Sequence, residues 1–338
     1  MAKRGPPIGP EGRTALIYLT RYPDMPSRTL ARMLRRDHPK KYRNIDNARS
    51  VIRRYRGTKC NAEGKGTSVK DFVLPPPTLE NPRSLPESVE ISYEPYIIGP
   101  ACDKALILAD AHIPFHVNDV INLAFDEALD MGVNCVVLLG DIADCYRLSR
   151  WEKDPDTRRF PEERENVRHF LMVLRKTFPN AKIIYKRGNH EYRFERELIN
   201  KAPEFYGMEE FRLDVLFGLS ELGIDWVTDK RLIKYGHLWL LHGDEYKGTS
   251  SSVNPARGMA LKAKECTMAA HNHRRSEQDS KTISGKVIGN WSIGCACDLH
   301  PKWLPLNEWQ HGYALLERTD DEGNFVPTNR KVIKGKSY

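Results

Sequence analysis

The chain has 338 residues, 40% of them hydrophobic, and a formal net charge of +8, enough for one large core and a small extra domain. No stretch comes near the roughly 18 uncharged apolar residues that cross a bilayer, and the start, MAKRGPPIGPEGR, lacks the apolar run of a signal peptide. The 7 cysteines are odd in number and scattered, so the expectation is a cytoplasmic protein with free thiols and no membrane partner.

The positive charge sits at the N-terminus. Residues 1–70 hold 18 Lys and Arg against 5 Asp and Glu, a balance of +13, which leaves −5 for the rest of the chain. Three short helices are predicted here, over 12–23, 27–39 and 44–57, with Ser27 as the N-cap of the second and Asn44 or Asp46 of the third. Leu16, Leu19, Leu30, Leu34, Ile45, Val51 and Ile52 would form their shared core, the size of a helix-turn-helix unit. The third helix would expose Asn47, Arg49, Ser50, Arg53, Arg54 and Arg56, a mixture of phosphate and base-edge partners. A solvated basic face on a helical cap is the plainer alternative, but so strong a local excess favours nucleic acid, and DNA first.

Residues 58–100 turn to Gly, Ser and Pro and read as a linker, so the expected organisation is 1–57, 58–100 and 101–338. Beyond it the pattern alternates between strand and helix. KALILAD (104–110) is an apolar run, 118–132 an amphipathic helix with Val120, Leu123, Ala124 and Ala128 on one face, and NCVVLLGD (134–141) the next strand. A second helix over 161–178 opens with proline and acids and presents Val167, Phe170, Leu171 and Leu174. Then IIYKRGNHEYRFER begins as a strand and ends as a helix, with Gly188, Asn189, His190 and Glu191 at the joint. Taken alone, that joint is an ordinary turn in which Gly188 bends the backbone and Asn189 caps the helix.

The joint is one of several. Asp110 and His112, Asp141, and Asn189 with His190 close three consecutive strands, and in open α/β sheets ligands collect at such carboxyl ends. Downstream, LWLLHGD (238–244) ends in His242 and CTMAAHNH (266–273) in His271 and His273, which alternation along an extended segment would put on one side. Five of the 11 histidines thus sit at strand ends. Two carboxylates, one amide oxygen and four imidazoles suit borderline divalent ions, and the absence of thiolate argues against structural zinc. Seven ligands exceed one ion's needs and suit two that share a carboxylate.

The ordered series Asp-x-His, Gly-Asp, Gly-Asn-His-Glu, His and His-x-His resembles the calcineurin-like metallophosphoesterases over about residues 104–318. The resemblance implies an α/β/β/α sandwich behind the small all-α module. It implies one metal on Asp110, His112, Asp141 and His273 and a second on Asp141, Asn189, His242 and His271. Manganese is the first choice, with iron, zinc and magnesium as alternatives. It implies that Asp141 bridges the ions and that His190 contacts the phosphoryl group or protonates the leaving group. Glu191 is expected to support the site or cap the helix. Two departures stand out: Ala270 precedes His271 where the family usually has glycine, and DAHIPFH and GDIADCYRLSRW lack the glycine and Asp-Arg-Gly of the protein phosphatase branch.

GDIADCYRLSRWEKDP and GCACDLHPKWLPLNEWQHGYALLE are similar to phosphoesterases common in phages and prophages, which implies a bacterial host cytoplasm. Arg147, Arg193 and Arg274 are candidate phosphate contacts, each equally able to be a surface charge. The expected activity is phosphodiester hydrolysis in DNA. The alternatives are hydrolysis of a small or cyclic nucleotide, and a DNA-binding or morphogenetic protein with a structural metal site.

Overall fold

A computed structural model describes residues 8–56, 93–150, 159–228, 230–246 and 253–338. The chain divides into two compact units, Met1–Glu90 and Ile91–Tyr338. Among the described residues no helix is long and apolar enough to cross a membrane.

The first unit holds α1 (Pro10–Arg21), α2 (Ser27–Asp37) and α3 (Ile45–Tyr55). Leu30, Ala31 and Leu34 on α2 and Ala48, Val51 and Ile52 on α3 repeat at helical spacing, so each helix buries one stripe. Ala15 and Tyr42 complete that core. Tyr42 is outside the expected set; its ring fills the centre while its hydroxyl donates to the Glu11 carbonyl at 2.6 Å. Ile45 is instead exposed, because the first residue of α3 points away from the stripe, Leu16 is only half-buried, and Leu19 packs at the edge. Asn44 caps α3, its Oδ1 accepting from the Asn47 amide at 2.8 Å. Ser27 does not cap α2; Pro26 holds that position, and the Ser27 Oγ accepts from Arg56 Nη1 at 2.9 Å. Arg56 also donates to the carbonyls of Pro23 and Met25, so its guanidinium staples the α1–α2 connection and is withdrawn from the candidate DNA contacts. Arg53 and Arg54 are exposed on α3, and Asn47, Arg49 and Ser50 are half-buried.

In chain order the second unit runs β1 (Tyr96–Ile98), β2 (Lys104–Leu108), α4 (Asn118–Met131), β3 (Cys135–Leu138), α5 (Phe160–Thr177), β4 (Lys182–Lys186), α6 (Tyr192–Lys201), α7 (Leu213–Leu216), β5 (Ile224–Val227), β6 (Ile233–Tyr235), β7 (Leu238–Leu241), α8 (Pro255–Ala263), β8 (Thr267–Ala269), β9 (Ser276–Lys281), β10 (Val287–Ser292), β11 (His311–Arg318), β12 (Phe325–Ile333) and β13 (Lys336–Ser337). Two sheets result, in the orders β1-β6-β7-β8-β10-β9 and β13-β12-β11-β2-β3-β4-β5. In the second, β2 to β5 are parallel neighbours.

Those parallel strands are buried on both faces, which is why they read as continuous apolar runs. Ala105, Ile107, Val137 and Ile184 face the other sheet, meeting Tyr235, Leu238, Leu240 and Met268. Leu106, Leu108, Val136 and Ile183 face Val120, Ala124 and Phe125 of α4 and Val167, Phe170 and Leu174 of α5. On the far face of the other sheet, Ala256 and Met259 of α8 pack on Leu241 and Ala269. The layers are therefore α/β/β/α, with a thin outer layer on the α8 side. The expected linker ends earlier than residue 100: Tyr96–Ile98 pairs in parallel with β6, and Ile98 is buried between the sheets. The remainder of that linker, 58–92, lies outside the described residues.

Candidate metal centre

Because β2, β3 and β4 are adjacent and parallel, their carboxyl ends bring Asp110, His112, Asp141, Asn189 and His190 together. The other sheet brings His242 from the end of β7 and His271 and His273 from beyond β8, its parallel neighbour. Asp110, His112, Asp141, His271 and His273 all have left-handed backbones, with φ from 47 to 64, a region L side chains seldom occupy and one that clusters at functional sites. His271 and His273 therefore share the centre through a left-handed turn after the strand. The strand alternation expected from the sequence does not deliver them, since β8 ends at Ala269.

Two glycines allow the close approach. A Cβ on Gly188 would lie 2.2 Å from Asp141 Oδ1, and one on Gly140, whose φ is +91, 2.5 Å from His242 Nδ1. Gly188 is thus required less for bending the turn than for admitting Asp141. Asn189 does not cap α6, which begins at Tyr192; its Oδ1 lies 3.1 Å from His242 Nε2.

Asp141 occupies the middle. Its Oδ1 accepts from the His190 amide at 2.8 Å, and its Oδ2 lies 3.1 Å from His242 Nε2, 3.8 Å from His190 Nε2 and 4.0 Å from His112 Nε2. Asp110 Oδ2 accepts from the His271 amide at 2.9 Å. Its Oδ1 is buried with no hydrogen-bond partner among the described residues, 3.4 Å from His273 Nε2 and 3.9 Å from His112 Nε2. The Nε2 atoms of His112 and His273 face each other at 3.1 Å. The ring of His242 is oriented by Nδ1–H donating to the Leu139 carbonyl at 2.8 Å, which turns Nε2 toward Asp141.

An orphaned buried carboxylate oxygen and converging imidazole nitrogens are the donor set a divalent cation requires. Among the described residues four groups of three have ligand atoms within 4.8 Å of one another, and two of these are the triads Asp110–His112–Asp141 and Asp141–His242–His271. Those two triads share Asp141. These residues therefore fit a pair of cations, with His273 beside the first triad and Asn189 beside the second.

Charge follows the same division. Burial opposes ionisation of Asp141, yet the charges of His242 and His190 hold it well below the usual carboxylate range. Burial keeps His271 and His273 below the ordinary imidazole value, the form that ligates. For His112 burial acts the same way, but the bond and charge of Asp144 outweigh it and push the group up to about 9.

Asp144, three residues beyond Asp141 in the stretch GDIADCYRLSRW, is given no role by the sequence reading. Its Oδ1 lies 2.8 Å from His112 Nδ1 and 2.9 Å from His190 Nδ1, so one carboxylate orients both rings. Its carbonyl accepts from Arg193 Nη1 at 2.9 Å, and Arg193 Nη2 reaches His190 Nε2 at 2.7 Å. Glu191 stands at the N-cap position of α6 with no capping bond from its side chain, which supports the site instead: it is fully buried and accepts from the amides of Asp141, Gly188, Ile142 and Ala143 and from the Tyr185 hydroxyl, at 2.8–3.1 Å. Of the other candidate arginines, Arg147 is half-buried on the turn Tyr146–Leu148 after Asp144, and Arg274 forms an ion pair with Glu308. Cys297 Sγ, likewise given no role by the sequence reading, lies 3.8 Å from His273 Nδ1.

No family model matches the chain. The Gene 54 protein of Mycobacterium phage L5 is 24% identical over 248 residues, covering 69% of this chain and 95% of that protein. Among solved structures, Vacuolar Protein Sorting 29 from Cryptosporidium parvum is 14% identical over 70% of this chain and 94% of its own, with a TM-score of 0.39. Yfce, a phosphoesterase from E. coli, is 12% identical over 67% and 98%, with a TM-score of 0.31. The α/β/β/α layering and the order in which the strand ends supply the centre are what the sequence resemblance to the calcineurin-like metallophosphoesterases implied.

Proposed function

We propose that the chain is a dinuclear metal-dependent phosphodiesterase whose substrate is DNA, acting in a bacterial host cytoplasm. The observation that carries this reading is Asp141 Oδ2, poised between two ligand triads with His190 at its side. Two divalent cations, manganese first, supply Lewis acidity that activates water and neutralises charge on the phosphoryl oxygens. The chain's residues do the rest. Asp110, His112 and His273 would hold one cation and Asn189, His242 and His271 the other, with Asp141 common to both. Asp144 holds the His190 ring by Nδ1; Nε2 accepts from Arg193 Nη2 at 2.7 Å and carries a proton to the leaving oxygen once that guanidinium turns to the substrate. Arg193, in contact with His190 Nε2, is placed to take a phosphoryl oxygen when substrate enters.

The exposed Arg53 and Arg54 of α3, in a segment of +13, support DNA as the polymer bound. Small-nucleotide hydrolysis is the second reading, favoured by the fact that every candidate ligand lies in the second unit, between Asp110 and His273. A panel of linear and circular DNA, RNA, cyclic nucleotides, a phosphopeptide and an artificial bis-aryl phosphodiester, assayed with Mn²⁺, separates them. Cleavage of DNA is expected. Turnover of cyclic nucleotides with DNA left intact would replace the first reading by the second.

A further inference from the structure

The loop 298–310 stands over the metal centre on two anchored feet. At one foot the Asp298 amide donates to the Phe115 carbonyl at 2.8 Å, three residues beyond His112. At the other, the Gln310 amide donates to the His273 carbonyl at 2.8 Å. The loop has its own scaffold: Asn307 Nδ2 donates to the carbonyls of Leu299 and Leu304 at 2.7 and 2.9 Å, and Asn307 Oδ1 accepts from the Trp309 amide at 2.8 Å.

That scaffold presents an aromatic ladder. The Trp309 ring meets His273 edge-on at 4.2 Å, and Trp303 meets Trp309 at 5.7 Å. Trp303 is nevertheless 69% exposed. A tryptophan ring left in water beside a second one gains hydrophobic free energy when a flat partner covers it. The ladder starts on His273, which the proposed reading makes a metal ligand, so a partner on Trp303 would lie at the rim of the same centre. Arg274, next to His273 and paired with Glu308 on the loop, adds positive charge at the same rim.

We infer that Trp303 stacks on an unpaired nucleobase beside the scissile phosphate, so that the substrate is single-stranded nucleic acid or a locally unpaired end. This rests on the phosphodiesterase reading of the centre. Duplex DNA keeps its bases stacked on each other and offers the ring only edges and backbone; a single strand offers a base face to each aromatic.

The test is equilibrium binding of labelled tetrathymidylate and of an abasic tetramer with the same phosphates to the full chain in EDTA, where turnover cannot interfere. The basic module sees equal charge in both, so a preference for thymidylate that is lost in Trp303→Ala reports stacking on that ring. Wild type should prefer thymidylate, Trp303→Ala should weaken thymidylate binding by about ten- to a hundredfold and abolish the preference, and Trp303→Phe should retain most of it. Leu306→Ala, at a residue 91% exposed on the same loop, should bind as wild type. The inference is overturned by equal binding of the two tetramers, by a preference that survives Trp303→Ala, or by an equal loss in Leu306→Ala. Mn²⁺-dependent hydrolysis of a small phosphodiester by a wild type without base preference would sink the stacking and leave the metal centre standing; preference without hydrolysis would do the reverse.

Discussion

Glu191→Gln tests how the centre is held. The carboxylate accepts three donors on Oε1, from Ile142, Ala143 and Tyr185, and two on Oε2, from Asp141 and Gly188. Glutamine can satisfy only the first set with its oxygen. Its amide nitrogen then faces the Asp141 and Gly188 amides, leaving two buried N–H groups without an acceptor. At about 1–3 kcal/mol each the loss is about 2–6 kcal/mol. Burial and the Asp141 charge already raise the Glu191 pKa, and removing that charge offsets part of the loss, so a net figure of about 2–4 kcal/mol is expected. Urea denaturation followed by tryptophan fluorescence should show a lower midpoint at unchanged slope. Mn²⁺ uptake should fall too, because the Asp141 backbone loses its anchor. A variant within about 0.5 kcal/mol of wild type with full metal uptake would refute the reasoning.

His190→Ala should retain both metals and slow a poor leaving group by about 10²–10⁴-fold while sparing nitrophenol; equal losses on both, measured under steady state, would reassign His190 to charge stabilisation. Burial and the Asp144 charge push Glu163 up to about 8, against the amides of Cys145 and Tyr146. Its proton is thus bound more tightly folded than unfolded, so its contribution to stability is whole below about pH 4.5 and declines toward pH 8, at up to about 1.4 kcal/mol per pH unit. Glu163→Gln should flatten that slope in urea titrations of metal-free protein, and an unchanged slope would contradict the assignment. Deleting residues 1–70 should make the salt dependence of DNA binding shallower, by about 0.9 in log–log slope for every phosphate the module grips, with aryl phosphodiester turnover kept; unchanged DNA binding at every salt concentration would remove the module as a DNA grip.

The strands carrying the centre were legible because burial on both faces leaves an unbroken apolar run, and each run stops at a polar residue where the sheet ends. What depends on approach between distant segments was not. Asp144 looks like any loop acid until the folded chain sets it against His112 and His190. Arg56 belongs to a basic series by composition, yet three acceptors on the α1–α2 connection claim it. The left-handed turn at His271 and His273 breaks the alternation that a strand would impose. Tyr42 lies in a connection where helical periodicity says nothing, though it is the largest side chain in its small core.

The account turns on Asp141 joining two cations in one hydrolytic centre, and metal stoichiometry with activity on one sample tests this most directly. Full-length wild type loaded with Mn²⁺ should carry two equivalents by elemental analysis and hydrolyse a phosphodiester. Asp141→Asn, which removes one charge from both ligand triads, should carry fewer than two and lose that hydrolysis. An Asp141→Asn protein that keeps two equivalents and the wild-type rate would contradict the account.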